Sequence, residues 1–313
     1  MADTSRPQYP VPHAPAPWNT KSECYWLFLA LSKLPEGLYD PLEASSEELV
    51  DTGNGGAGGE FRGGLGVVMI VRYRDTPVGP YDELILIPGN FAVPQPSSSP
   101  TPPKIPKKAL RISRIYVSQR TTCYNGRLNW NIPKHLARFT FSAPPTSTGS
   151  SPPLELTAKV FPPSSKDGNG TAPFFAVTLK PWRWVPSMPI SSRWLPLSTV
   201  HAQPPLPEAA SFKKDASEAS EGKQIDPYDI DPRYEEELLA GTDRWCIFPV
   251  NSYVPRARGC WVSIHEPGKD EETGDAAVKE AAKYWPVDVT PWSIGAWMED
   301  AELGIPEPLE WKL

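Results

Sequence analysis

The chain has 313 residues, with 37 acidic against 31 basic side chains, a formal charge of -6 and a pI near 5.4. That balance argues against a nucleic-acid partner or an anionic membrane surface. No apolar run reaches the ~18 residues of a spanning helix, and "MADTSRPQYPVPHAPAPW" lacks the apolar stretch of a signal peptide. Four cysteines without CxxC spacing then suit a reducing cytoplasm with free, buried thiols. Four scattered histidines argue against a metal site, and no cofactor motif is present. Proline is abundant, 40 of 313 residues against the usual ~5%. With 39% apolar residues and twelve tryptophans, the chain can still build a core.

In chain order, "PLEASSEELVD" (41–51) reads as a helix. The glycine-rich "GNGGAGGEFRGG" (53–64) lacks the ending of a phosphate-binding loop and reads as a flexible loop. Short runs rich in β-branched and aromatic residues follow at 66–73, 83–88, 110–118, 136–142, 155–161 and 174–180, with two more at 245–253 and 260–266. The continuous run Val67–Val71 predicts a strand covered on both faces. Helices are expected at 231–241, closed by Gly241, and at 275–285. Asn125-Gly126 reads as a turn. Stretches dominated by Pro, Ser and charge at 92–107, 143–153, 162–172 and 202–226 read as loops inserted into one β-rich domain.

Two blocks say more than periodicity. "RDTPVGPYDELILIPGNF" (74–91) holds Asp75, Gly79, Tyr81 and Glu83, and "CYNGRLNWNIPKHL" (123–136) holds Gly126, Arg127, Pro133 and Lys134. Together they resemble the acetoacetate decarboxylase family, with a weaker echo in "LYDPLE" (38–43). The resemblance implies an α+β, β-rich fold: a single domain at 21–313, behind a flexible Pro-rich tail at 1–20, with antiparallel sheets closing around an apolar pocket. It also implies that Lys134 forms a Schiff base with a keto compound and that Glu83 lies beside it to orient substrate or shuttle a proton. Met69, Tyr81, His135 and Arg127 are the candidate substrate-binding residues, Arg127 being also suited to brace loops. A homo-oligomer is a further implication of the family.

A lysine amine titrates near 10.4, so about one in a thousand is free at pH 7.4. Lowering the pKa by ~3 units destabilises the ammonium by about 4 kcal/mol, which an apolar pocket or neighbouring cation can supply. The family's second lysine is His135 here, expected to be mostly neutral, so burial would carry nearly all of that shift. A pocket glutamate expected near Met69 is absent, Leu128 replaces another, and no cation occupies "WLFLAL" (26–31), where the family's carboxylate-binding arginine falls. Three functions stay open. The first is decarboxylation of a β-keto acid larger and more apolar than acetoacetate; the second is aldol or dehydratase chemistry on α-keto acids through the same imine. The third is a non-catalytic binding protein with a degraded site.

Overall fold

The computed structural model describes residues 10–46, 58–96, 105–165, 171–194, 198–210, 212, 226–265, 275–286 and 288–313. In chain order the elements are β1 (Trp18–Ala30), α1 (Pro41–Ala44), β2 (Phe61–Gly63), β3 (Leu65–Asp75), β4 (Tyr81–Ile87), β5 (Asn90–Ala92), β6 (Lys108–Leu110) and β7 (Arg114–Val117). Then come α2 (Arg120–Trp130), β8 (Lys134–Leu136), β9 (Arg138–Phe141), β10 (Leu156–Phe161), β11 (Phe175–Pro181), β12 (Met188–Ser191) and β13 (Val200–Gln203). The last are β14 (Trp245–Pro249), β15 (Asn251–Ile264), α3 (Asp275–Ala281), β16 (Ile294–Ile305) and β17 (Leu309–Trp311).

The architecture is the expected β-rich α+β type. An eleven-stranded sheet runs β8-β7-β4-β3-β1-β16-β15-β11-β10-β9, with β12 also paired to β15. A six-stranded sheet runs β17-β14-β13-β6-β5-β2. Pairing is antiparallel except for β7 with β8 and β13 with β6. One core cluster lies on the face of the large sheet turned to the small one, and a second lies on the opposite face. The Val67–Val71 run is thus divided between two cores, with Val71 in one and Val68 and Ile70 in the other. Among the described residues, no helix is long and apolar enough to cross a membrane.

Several expectations are corrected. Asn125-Gly126 is not a turn but the middle of α2, although Thr, Asn and Gly are poor helix formers. Tertiary contacts override the propensity. Gln119 caps the helix by accepting from Thr122 N–H at 2.9 Å, and Asn131 closes it in the left-handed conformation. Asn125 accepts from Ala14 N–H and donates to the Pro12 carbonyl, while Asn129 donates to that of Ala14. These bonds tie down the N-terminal stretch from residue 12, which was expected to be a flexible tail. The 231–241 helix is two 3-10 turns, Pro232–Tyr234 and Glu236–Leu238. The 41–51 helix ends by Ala44, and residues 47–51 lie outside the described ones.

The inserted stretches are partly integrated. Val93 and Ile105 are buried at the edges of the first, Thr146 is buried in the second, and Ala202, Leu206 and Ala209 are buried in the last. Thr146 donates from its backbone and hydroxyl to buried Glu23 at 2.8 and 2.7 Å. Residues 97–104, 166–170 and 213–225, like 53–57 of the glycine-rich stretch, lie outside the described ones. β16 was not expected because Glu299 and Asp300 interrupt its apolar run. Glu299 is nonetheless fully buried, held by Arg256 and Arg258 of β15 at 3.0 Å each.

Candidate active site

Period-two alternation builds the site. Odd residues of β4, namely Tyr81, Glu83, Ile85 and Ile87, face a cavity between the two sheets. On the paired β3, Val67, Met69 and Tyr73 face the same way. The β3–β4 hairpin depends on Gly79, whose φ of +91° disfavours other residues. β8 pairs parallel to β7, bringing Lys134 opposite Ile115 and onto the cavity side.

Lys134 Nζ donates to Glu83 Oε2 and to Thr122 Oγ1 of α2, both at 2.8 Å. It also lies 5.1 Å from the Tyr81 ring centroid, within cation–π range. Tyr73 donates its hydroxyl to Glu83 Oε1 at 3.2 Å. Burial alone would push the Lys134 amine toward its free form. The Glu83 carboxylate, helped by Tyr81, outweighs it and raises the pKa above the ordinary lysine value. At rest, therefore, Lys134 is an ammonium paired with Glu83, and the expected burial-driven activation does not dominate. Burial pushes the Tyr81 phenol up to about 12 and, with Glu83, the Tyr73 phenol well up, so both keep their protons.

Gly126 gives the lysine its path. A Cβ on it would lie 2.7 Å from both Cδ and Cε of Lys134. Gly126→Ala should displace the Lys134 stem and destabilise the fold by about 1–3 kcal/mol. Urea unfolding together with amine trapping by borohydride reduction checks this, and unchanged stability and trapping would contradict it.

The cavity has a volume of about 220 Å³. Its walls are chiefly aromatic and aliphatic, with Trp18, Trp26, Phe28, Trp130 and Phe248 among them. Among the described residues that line it, Lys134 and Glu83 are the charged ones. His201 also lines it, but burial lowers its pKa to about 4 and keeps it neutral.

Of the sequence candidates, Lys134, Glu83, Tyr81 and Met69 share this cavity, whereas His135 and Arg127 are not among its lining residues. Alternation along β8 turns His135 to the other face. There its Nε2 lies 2.8 Å from Glu43 Oε2, near Asp40 and Glu235. The expected neutral imidazole is corrected too: burial works against its charge, but Glu43 and Asp40 outweigh burial and raise its pKa to about 10. Arg127, on α2, donates to Glu43 Oε1 at 2.8 Å and to the carbonyls of Ala240 and Pro207. It braces α2 rather than reaching substrate. Glu43 comes from the "LYDPLE" stretch, so that echo marks the buried ion network behind the cavity. Thr122 and Tyr73 were missed. Tyr73 could have been found as the cross-strand partner of Tyr81, but reading α2 as a turn hid Thr122.

No protein-family profile and no curated protein matches the chain. Solved structures do. An acetoacetate decarboxylase-like enzyme from Sphingomonas wittichii RW1 superposes with a TM-score of 0.53 at 12% identity, covering 100% of this chain and 98% of that one. Acetoacetate decarboxylase from Legionella pneumophila subsp. pneumophila str. Philadelphia 1 superposes with a TM-score of 0.50 at 9% identity, covering 99% and 92%. The chain therefore has an acetoacetate decarboxylase-like fold along its whole length. At these identities the likeness establishes the fold alone.

Proposed function

We propose that the chain is a Schiff-base lyase acting on an apolar carbonyl compound through Lys134. The observation that carries this reading is a buried amine bonded to a carboxylate inside an otherwise apolar cavity. Lys134 passes a proton to Glu83, and the free amine adds to the substrate carbonyl. Glu83 returns the proton as water leaves, so that an iminium–carboxylate pair replaces the ammonium–carboxylate pair. The iminium draws electrons from a bond β to its nitrogen-bearing carbon, and Glu83 handles the protons.

Two bonds suit this chemistry. One joins the carboxylate of a β-keto acid larger and more apolar than acetoacetate, which leaves as CO₂. The other joins the carbinol carbon of a β-hydroxy ketone, which leaves as an aldehyde. The second is favoured by the absence of a carboxylate-binding cation among the described lining residues. Incubation with keto acids and ketones, borohydride reduction and intact-mass measurement should show a reduced adduct mapping to Lys134. Lys134→Ala and Lys134→Arg should both abolish it, the latter because a guanidinium stays protonated. Ligand binding that persists in Lys134→Ala, with no adduct in the parent, would instead mark a non-catalytic binding protein.

A further inference from the structure

We propose that the substrate of the Lys134 cavity is uncharged, an apolar β-hydroxy ketone that the site cleaves by retro-aldol reaction to a ketone and an aldehyde. This rests on the imine reading of Lys134 and deepens it. The first ground is charge balance. Lys134 and Glu83, the charged side chains among the described lining residues, are paired at 2.8 Å with side chains 5% and 4% exposed. An uncharged substrate keeps the cavity neutral at every step, because iminium simply replaces ammonium beside Glu83. A keto acid would add a second carboxylate next to Glu83 with no further cation among the described lining residues to meet it. The walls available to such a carboxylate include Trp26, Phe28, Met69 and Ile85.

The second ground is the hydrogen-bonding atoms left without a partner. Among the described residues, two lining side chains carry one: the donor Nε1 of Trp26 and the acceptor Nε2 of His201, whose Nδ1 is used on the Thr199 carbonyl at 2.9 Å. Both are uncharged. The His201 acceptor suits a substrate hydroxyl and finds no hydrogen on a carboxylate, while the Trp26 N–H can donate to a carbonyl or hydroxyl oxygen.

The step balances without another reactant. Once the iminium has formed, Glu83 takes the proton of the β-hydroxyl. The bond between the α and β carbons breaks, its electrons form the enamine, and the β carbon leaves as an aldehyde. Glu83 then gives its proton to the α carbon, and water hydrolyses the iminium to ketone and the Lys134 ammonium, restoring the resting pair with Glu83.

The test uses the full chain and four probes: benzylacetone, the β-hydroxy ketone formed from acetone and benzaldehyde, benzoylacetate and acetoacetate. Adduct formation is followed by reduction and mass, and cleavage by benzaldehyde release. The two uncharged probes should trap on Lys134 on the order of 100-fold faster than the two keto acids, and the hydroxy ketone should release benzaldehyde. Phe28→Arg, or Met69→Lys if that variant fails to fold, should shift the preference toward benzoylacetate. Faster trapping of the keto acids by the parent, or adducts without benzaldehyde release, would overturn this proposal while leaving the imine reading standing. No adduct with any probe on folded protein would overturn both.

Discussion

Glu83→Gln should make Lys134 more reactive toward carbonyl compounds at neutral pH while disabling turnover. In the parent, burial lowers the Lys134 pKa, but the Glu83 charge outweighs it and holds the ammonium above its ordinary range. Glutamine keeps an acceptor for the Tyr73 hydroxyl yet removes that charge, so burial then acts largely unopposed. The amine pKa should fall below the ordinary ~10.4, and each unit of fall gives ten times more free amine at neutral pH. Adduct formation with benzylacetone at pH 7.5 should rise at least ~10-fold, with its pH midpoint displaced downward. Multiple turnover should nevertheless drop by ~10²–10⁴, since no carboxylate remains to move protons. A pH midpoint for trapping that stays in place or moves upward in Glu83→Gln would refute the charge-holding role. Breaking a buried ion pair commonly costs about 3–5 kcal/mol. The stability loss should be smaller here, because the lysine can relieve its own burial by releasing a proton.

The same pair shows what the amino-acid sequence could and could not reveal. Local pattern alone reads Lys134 as a solvated lysine at a strand entrance and Glu83 as a surface residue at a strand start, and only the family resemblance singles out either one. Their meeting was legible only through the family resemblance, since 51 positions and an intervening strand, β7, separate them. α2 was hidden for a different reason. Its sequence "RTTCYNGRLNW" lacks helix formers on a clean apolar stripe, because its polar side chains are buried and bonded to distant segments such as 12–14 and Glu43. A pattern read against water misjudges a helix whose polar residues face protein. β16 was lost likewise: Glu299 looks like a break until Arg256 and Arg258 are seen beside it. The charge of His135 was beyond sequence reasoning altogether, since it follows from Glu43 and Asp40, whose approach only the fold creates.

That buried ion network should dominate the pH dependence of stability. Arg127, Glu43 and His135 form a chain behind the cavity, with Arg127 and Glu43 fully buried. His135 has its pKa raised from 6.5 to about 10 in the folded protein. Its contribution is therefore complete below pH ~6.5 and is lost as pH climbs through ~10. Although burial disfavours its charge, Glu43 is lowered from 4.5 to about 2 by His135 and Arg127. Its contribution is complete above pH ~4.5 and is lost as pH falls through ~2. The two windows overlap between pH ~4.5 and ~6.5, where this network stabilises most. Glu43→Gln, nearly isosteric, leaves Arg127 and His135 without their shared anion and should cost about 3–5 kcal/mol at pH 6. It should also flatten the alkaline limb, because the His135 pKa drops toward its ordinary value and less proton-linked stability remains to be lost. Urea unfolding of both proteins at pH 6, 8 and 10 measures this directly. The gap between parent and variant should be widest at pH 6 and narrow by pH 10. A gap that is constant across that range would mean that His135 is not charged by Glu43 in the folded state.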